Sequence, residues 1–221
     1  MQLPPGTAHF SARVRYGRYV ARRLKRARLT SLANDATKAT AAVLAAGRTA
    51  EDADGPVQDA MADRDASDDD LDTTAQDARA KLAGRSADAM TKTPYTQIFP
   101  DGIGFYTAAP LDEENARYSL FSQRLAAHLP ANDKVRTSTI PVIDTGLSDF
   151  AKATGDLTAA RNAASIADGH LATAEDAWEK QMEKTYGALV VEVGRAAADR
   201  FFPKTKTKSK KGGPATPPVD G

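Results

Sequence analysis

Apolar residues recur three and four positions apart along most of this chain, the spacing of helices that bury one face. From Leu29 the series Leu29, Leu32, Ala36, Ala39, Val43 and Ala46 steps in this way and forms a heptad-like seam. Residues 8–51 therefore read as one long helix, behind an extended lead at 1–7. Asp54-Gly55-Pro56 carries turn chemistry and predicts a reversal over 51–56. A second helix is expected to about residue 91, with Val57, Met61, Leu71, Ala75, Ala78 and Leu82 on its seam. So short a turn makes the two antiparallel neighbours.

Beyond residue 110 the helical pattern returns. Leu111-Asp112-Glu113-Glu114 reads as a helix start with acids in its first turn. Tyr118, Phe121 and Leu125 mark its inner face, and it ends near His128. Leu129 to Asp133 interrupts the pattern, which resumes at Lys134 and continues through Ile143, Leu147, Phe150 and Leu157. Pro141 fits only near a helix start or at a kink. A last reversal is expected at Gly155, with Asp168-Gly169 as the alternative. The final helix carries Leu171, Trp178, Met182, Tyr186, Leu189 and Val193, and stops at Phe201-Phe202-Pro203.

Between these halves lies a connector, residues 92–110. Pro94, Pro100 and Pro110 each remove a backbone donor and turn the preceding residue away from helix. Asp101-Gly102 is turn chemistry, so no helix is expected here. Yet Ile98, Phe99, Ile103, Phe105 and Tyr106 are too apolar for a free loop. Each is worth about 1.5–3 kcal/mol if buried. Tyr95, Phe99, Pro100, Gly102, Phe105 and Tyr106 are accordingly read as a structural connector packed on the end of a bundle.

The fold expected is all-α: elongated antiparallel helical hairpins in an up-and-down bundle. One domain spans 8–203, made of a hairpin at 8–91, the connector and a second helical half at 111–203. Residues 204–221 are Lys-, Gly- and Pro-rich and read as a disordered basic tail. Arg15-Tyr16, Tyr19 and Arg22 recur as Arg117-Tyr118, Phe121 and Arg124 at a constant offset, and Phe99-Pro100 recurs as Phe202-Pro203. An internally duplicated pair of hairpins accounts for both. The connector Tyr95–Pro110 and the Trp178–Tyr186 helix together resemble all-helical proteins predicted in bacterial genomes, a group that implies no particular activity.

Composition narrows the function. Alanine is about a fifth of the residues and aromatics 6%, which favours helices in close contact over a thick core. There is no cysteine, which excludes disulfides, thiolate metal sites and cysteine nucleophiles. No apolar run approaches a membrane span and no signal peptide is recognisable, so a cytoplasmic protein is expected. The net charge of +1 hides a split. Residues 13–28 hold eight Lys and Arg and no acid, and residues 204–211 hold five Lys. Outside these two runs, 17 basic residues face 29 acidic ones.

The first basic run is amphipathic. Phe10, Val14, Val20, Ala21 and Leu24 share one arc, and Arg15, Arg18, Arg22, Lys25 and Arg26 a neighbouring one. These five are candidate electrostatic contacts for the acidic middle of the protein, for nucleic acid or for an anionic surface, with Tyr16 and Tyr19 placed to stack on bases. The acidic run Asp63–Asp72 lacks the central Gly and final Glu of a calcium loop. No Glu-x-x-His, nucleophile elbow or phosphate-binding glycine motif occurs. Trp178, Met182 and Tyr186 read as core. No catalytic residue, metal ligand or cofactor is expected. The chain reads as a non-enzymatic interaction or scaffold protein that binds a protein partner or itself, as a dimer. The alternative is a nucleic-acid-associated protein; a membrane partner is not favoured.

Overall fold

A computed structural model describes residues 1–204 of the chain. They form seven α-helices, with no strand among the described residues. These are α1 (Phe10–Arg26), α2 (Thr30–Ala83), α3 (Tyr95–Ile98), α4 (Gly104–Thr107), α5 (Glu114–His128), α6 (Lys134–Val193) and α7 (Arg195–Ala198). The protein is all-α and built on helical hairpins, as its periodicity dictates.

The first reversal is not where the turn residues point. Helix α2 runs unbroken through Glu51–Pro56, with Pro56 inside it. The chain turns instead at Ala27-Arg28-Leu29. Arg28 takes φ +63°. Its N–H reaches the Lys25 carbonyl at 3.1 Å, and the Leu29 N–H reaches the Leu24 carbonyl at 3.1 Å. This is the hydrogen-bond pattern of a Schellman cap, with Arg28 where glycine is usual. A sequence scan keyed to Gly and Asn passes over it. Helix α2 survives Pro56 because its inward stripe passes that point in phase: Gly47 and Ala60 are buried, with Ala50, Ala53 and Val57 half-buried between them.

The last reversal is also absent. Gly155 and Gly169 both lie inside α6 and are exposed. The buried positions Val135, Thr139, Ile143, Phe150, Ala153, Leu157, Ala167, Trp178, Met182, Thr185 and Leu189 fit one stripe of threes and fours with the half-buried Gly146, Ala160, Ala164, Leu171 and Ala174. A reversal at either glycine would break that stripe. The helix ends only at Gly194, whose φ is +78°. The stretch to Phe201 is short helical turns rather than a continuation of α6.

Contacts gather the residues into two units. One contains Met1–Ala50 and the described residues from Ala167 onward; the other is Glu51–Ile166. Each is assembled from the same parts. The first has a short helix (α1), the start of the long helix that follows it (α2), the end of a long helix (α6) and a terminal Phe-Pro segment. The second has α5, the start of α6, the end of α2 and the connector with Phe99-Pro100. Tyr16 and Tyr118, one turn apart from their neighbours in the repeat, are both buried, as are Phe202 and Phe99. The correspondence is incomplete: Phe121 is buried where Tyr19 is exposed.

In the first unit the core is formed by Phe10, Val14, Tyr16, Val20, Leu24, Val43, Trp178, Met182, Leu189 and Phe202. A Cβ on Gly17 would lie 2.0 Å from Thr40 Oγ1 and 2.8 Å from Trp178 Nε1, so this glycine sets how closely α1 approaches α2 and α6. In the second unit Leu71, Leu82, Tyr95, Ile98, Phe99, Tyr106, Tyr118, Phe121, Leu125 and Ile143 are buried together. The connector is not free of helix: α3 and α4 are single turns within it, short enough to fit between the prolines.

Candidate interaction site

Helix α1 sorts its basic residues by face. Arg13 is turned inward and only 2% exposed. It pairs with Glu175 and Glu179 of α6, each at 3.1 Å. It also donates to the carbonyls of Ala8 at 2.8 Å and Gly6 at 3.3 Å. These contacts match its charge and donors where water is excluded, so Arg13 is a structural cation.

The five residues expected as electrostatic contacts are all exposed: Arg15, Arg18, Arg22, Lys25 and Arg26. Three of them, Arg18, Arg22 and Lys25, edge a groove of about 590 Å³ between α1 and α2. Its floor is made of small and apolar side chains, among them Ala21, Ala33, Ala41 and Leu44, with Thr37 and Thr40. Arg15 and Arg26 lie outside the groove lining. Among the described residues, none of the five is held in an ion pair. Chemically, the groove offers three cations over a shallow hydrophobic surface. The lysine tail beyond Lys204 lies outside the described residues.

Of the two tyrosines expected beside these cations, one is unavailable. Tyr16 is buried, edge-on to Trp178 with ring centroids 5.7 Å apart, and donates to the Gln2 carbonyl at 2.8 Å. Burial pushes its hydroxyl up to about 12. Tyr19 is 44% exposed.

The connector residues form a closed structural cluster. Tyr95, Phe99 and Tyr106 are buried, Phe105 is half-buried, and Pro100 and Gly102 are exposed. Gly102 has φ +77°, in the region where only glycine sits at ease. Tyr106 stacks against Phe121 at 4.7 Å, donates to the Ile98 carbonyl at 2.9 Å and accepts from Arg124 at 2.8 Å. Arg117 lies 4.7 Å over the Phe105 ring. These contacts hold the cluster together.

One cluster escapes the sequence. Glu114, at the start of α5, is 1% exposed and meets Asp68 and Asp72 of α2. Its Oε1 has no hydrogen-bond partner. Burial first, then the charge and hydrogen bonding of Asp68 and the charge of Asp72, push Glu114 up to about 8, so it holds a proton at neutral pH. Tyr118 donates to Asp72 Oδ1 at 2.7 Å. Burial and the adjacent Asp72 raise the tyrosine strongly, and burial raises Asp72 too. The only signal in the sequence is that Asp68 and Asp72 are four apart beside the Leu71 seam position; nothing there couples them to Glu114.

Among the described residues no group of three or more His, Asp or Glu is arranged to hold a metal ion, and no helix is long and apolar enough to cross a membrane. His9 caps α1 through Ser11, His128 ends α5, and His170 lies within α6. Compared with family models, with curated proteins and with solved structures, the chain gives no match in any of the three.

Proposed function

We propose that this chain is a non-enzymatic helical interaction or scaffold protein whose contact surface is the groove between α1 and α2. One observation carries the reading: Arg18, Arg22 and Lys25 stand exposed along an apolar groove with no carboxylate matched to them. Small floor residues allow a partner backbone close approach, and the cations select an acidic one. That combination suits an acidic amphipathic helix laid in the groove. A cytoplasmic setting is part of the proposal, to be checked by cell fractionation.

The test is a titration of a labelled acidic amphipathic peptide with the full chain, read by fluorescence anisotropy. Binding that weakens by about tenfold or more between about 0.05 M and about 0.5 M salt, and is lost in R18E/R22E/K25E, supports the reading. No binding, or binding indifferent to the triple substitution, overturns it.

A second reading has its own observation. The exposed ring of Tyr19 stands on the same helix as exposed Arg15, Arg18 and Arg22, an arrangement suited to stacking on a base while the cations meet phosphates. Gel-shift titrations with single-stranded and duplex DNA test it. Affinity that falls linearly on a log–log salt plot and drops in Tyr19→Ala favours nucleic acid.

A further inference from the structure

The groove has a complement on the chain itself. Along α2, Asp52, Asp59, Asp63, Asp70 and Asp77 are all exposed. At 100° per residue they fall within one arc of about 40°. Exposed Lys81 lies at one end of the same arc, and exposed Pro56 and Ala66 flank it. Among the described residues none of the five aspartates is held in an ion pair. Lys152 lies within electrostatic reach of Asp63, but the row as a whole is acidic, repels itself along its length and is stabilised by an opposed row of cations.

The two rows also keep the same step. Of the groove's three cations, Arg18 and Lys25 are seven residues apart, with Arg22 between them. Asp52 and Asp59 are seven apart, and so are Asp63, Asp70 and Asp77. Seven residues of α-helix rise about 10.5 Å. Two helices with equal charge repeats stay in register when laid side by side, so Arg18 and Lys25 each meet an acid two turns apart. The floor of Ala21, Ala33 and Ala41 lets the second backbone approach closely.

We infer that the groove between α1 and α2 receives the acidic stripe of α2 from a second copy of this chain. The inference rests on the reading of the groove as a docking surface and names its occupant. Each copy carries both halves of the contact, so copies associate through it and salt separates them.

The experiment is sedimentation velocity on the full chain across a concentration series, at about 0.05 M and about 0.5 M salt. Three proteins are run: the wild type, R18E/R22E/K25E and D59K/D63K/D70K. The wild type should associate at low salt, with the apparent Kd weakened about tenfold or more at high salt. Each charge-reversed variant alone should be monomeric. Mixed in equal amounts, the two should associate again, since a reversed groove meets a reversed stripe and a native groove meets a native stripe. Circular dichroism confirms that each variant keeps its helices; where one does not, the neutral set R18Q/R22Q/K25Q or D59N/D63N/D70N replaces it and is read by loss of association alone, without the mixing arm. A wild type that stays monomeric at low salt overturns the inference, and so does association that survives in both variants or fails to return on mixing. If the wild type is monomeric yet still binds the acidic peptide through Arg18, Arg22 and Lys25, the second copy is rejected and the groove stands.

Discussion

The indole N–H of Trp178 donates to Thr40 Oγ1 at 3.2 Å, across the point where Gly17 of α1 comes closest to both side chains. Three helices meet there with no room for a methyl group. Gly17→Ala should destabilise the protein by about 1–3 kcal/mol through overpacking. Thr40→Ala on its own should cost about 1–3 kcal/mol by leaving the buried indole unsatisfied. Combined, the two should cost less than their sum, because the Thr40 hydroxyl is the nearest obstacle to the new methyl. Gly155→Ala is the control: it is exposed inside α6 with nothing near its absent Cβ, and should stabilise by about 0.5–1 kcal/mol. Urea unfolding midpoints measure all four.

Glu114 makes stability depend on pH in an unusual direction. Its carboxyl is raised from 4.5 to about 8 in the folded protein, so between those values the native state binds more protons than the unfolded chain. The stability it supports is full below about pH 4.5 and declines as pH rises to about 8. Glu114→Gln carries the protonated group's hydrogen-bonding capacity at every pH. It should flatten this slope and leave the variant more stable than wild type at pH 8, by an amount on the order of a few kcal/mol. Thermal unfolding of both proteins across the pH range is the measurement; parallel curves would show that Glu114 titrates normally.

At the reversal between α1 and α2, Arg28 occupies a left-handed conformation that costs an ordinary residue about 1–2 kcal/mol. Glycine avoids that cost and loses about 0.5–1 kcal/mol to chain entropy. Arg28→Gly should therefore raise stability by about 0.5–1 kcal/mol. Arg28→Val should lower it, since a branched side chain fits worse there. Differential scanning calorimetry on both variants tests the cap.

The basic run 13–28 should divide sharply under alanine substitution. Arg13→Ala removes a buried cation from Glu175 and Glu179 and two donors from backbone carbonyls. A loss of about 3 kcal/mol is expected. Arg15→Ala and Arg26→Ala touch exposed groups and should stay within about 0.5 kcal/mol. Chemical denaturation of the three variants separates the structural cation from those available to a partner.

The fold class was legible in the spacing of threes and fours, which with few aromatics favours helix along most of the chain. The sequence also marked the connector as packed, since Ile98, Phe99 and Tyr106 are too apolar to be left in water, and it picked out the exposed cations of α1 from their shared arc. Tertiary structure decided where the chain turns. Gly55-Pro56, Gly155 and Gly169 carry local turn chemistry, but the buried stripes of α2 and α6 run through them in phase, and burial over many turns outweighs a local preference. The real turn at Arg28 is closed by backbone hydrogen bonds that no side-chain pattern announces. The groove and the proton-holding Glu114 belong to the same category. Arg18 and Leu44 come to line one groove, and Glu114 meets Asp68 and Asp72, only once separate helices are packed together, and the desolvation that raises Glu114 exists only in that packing.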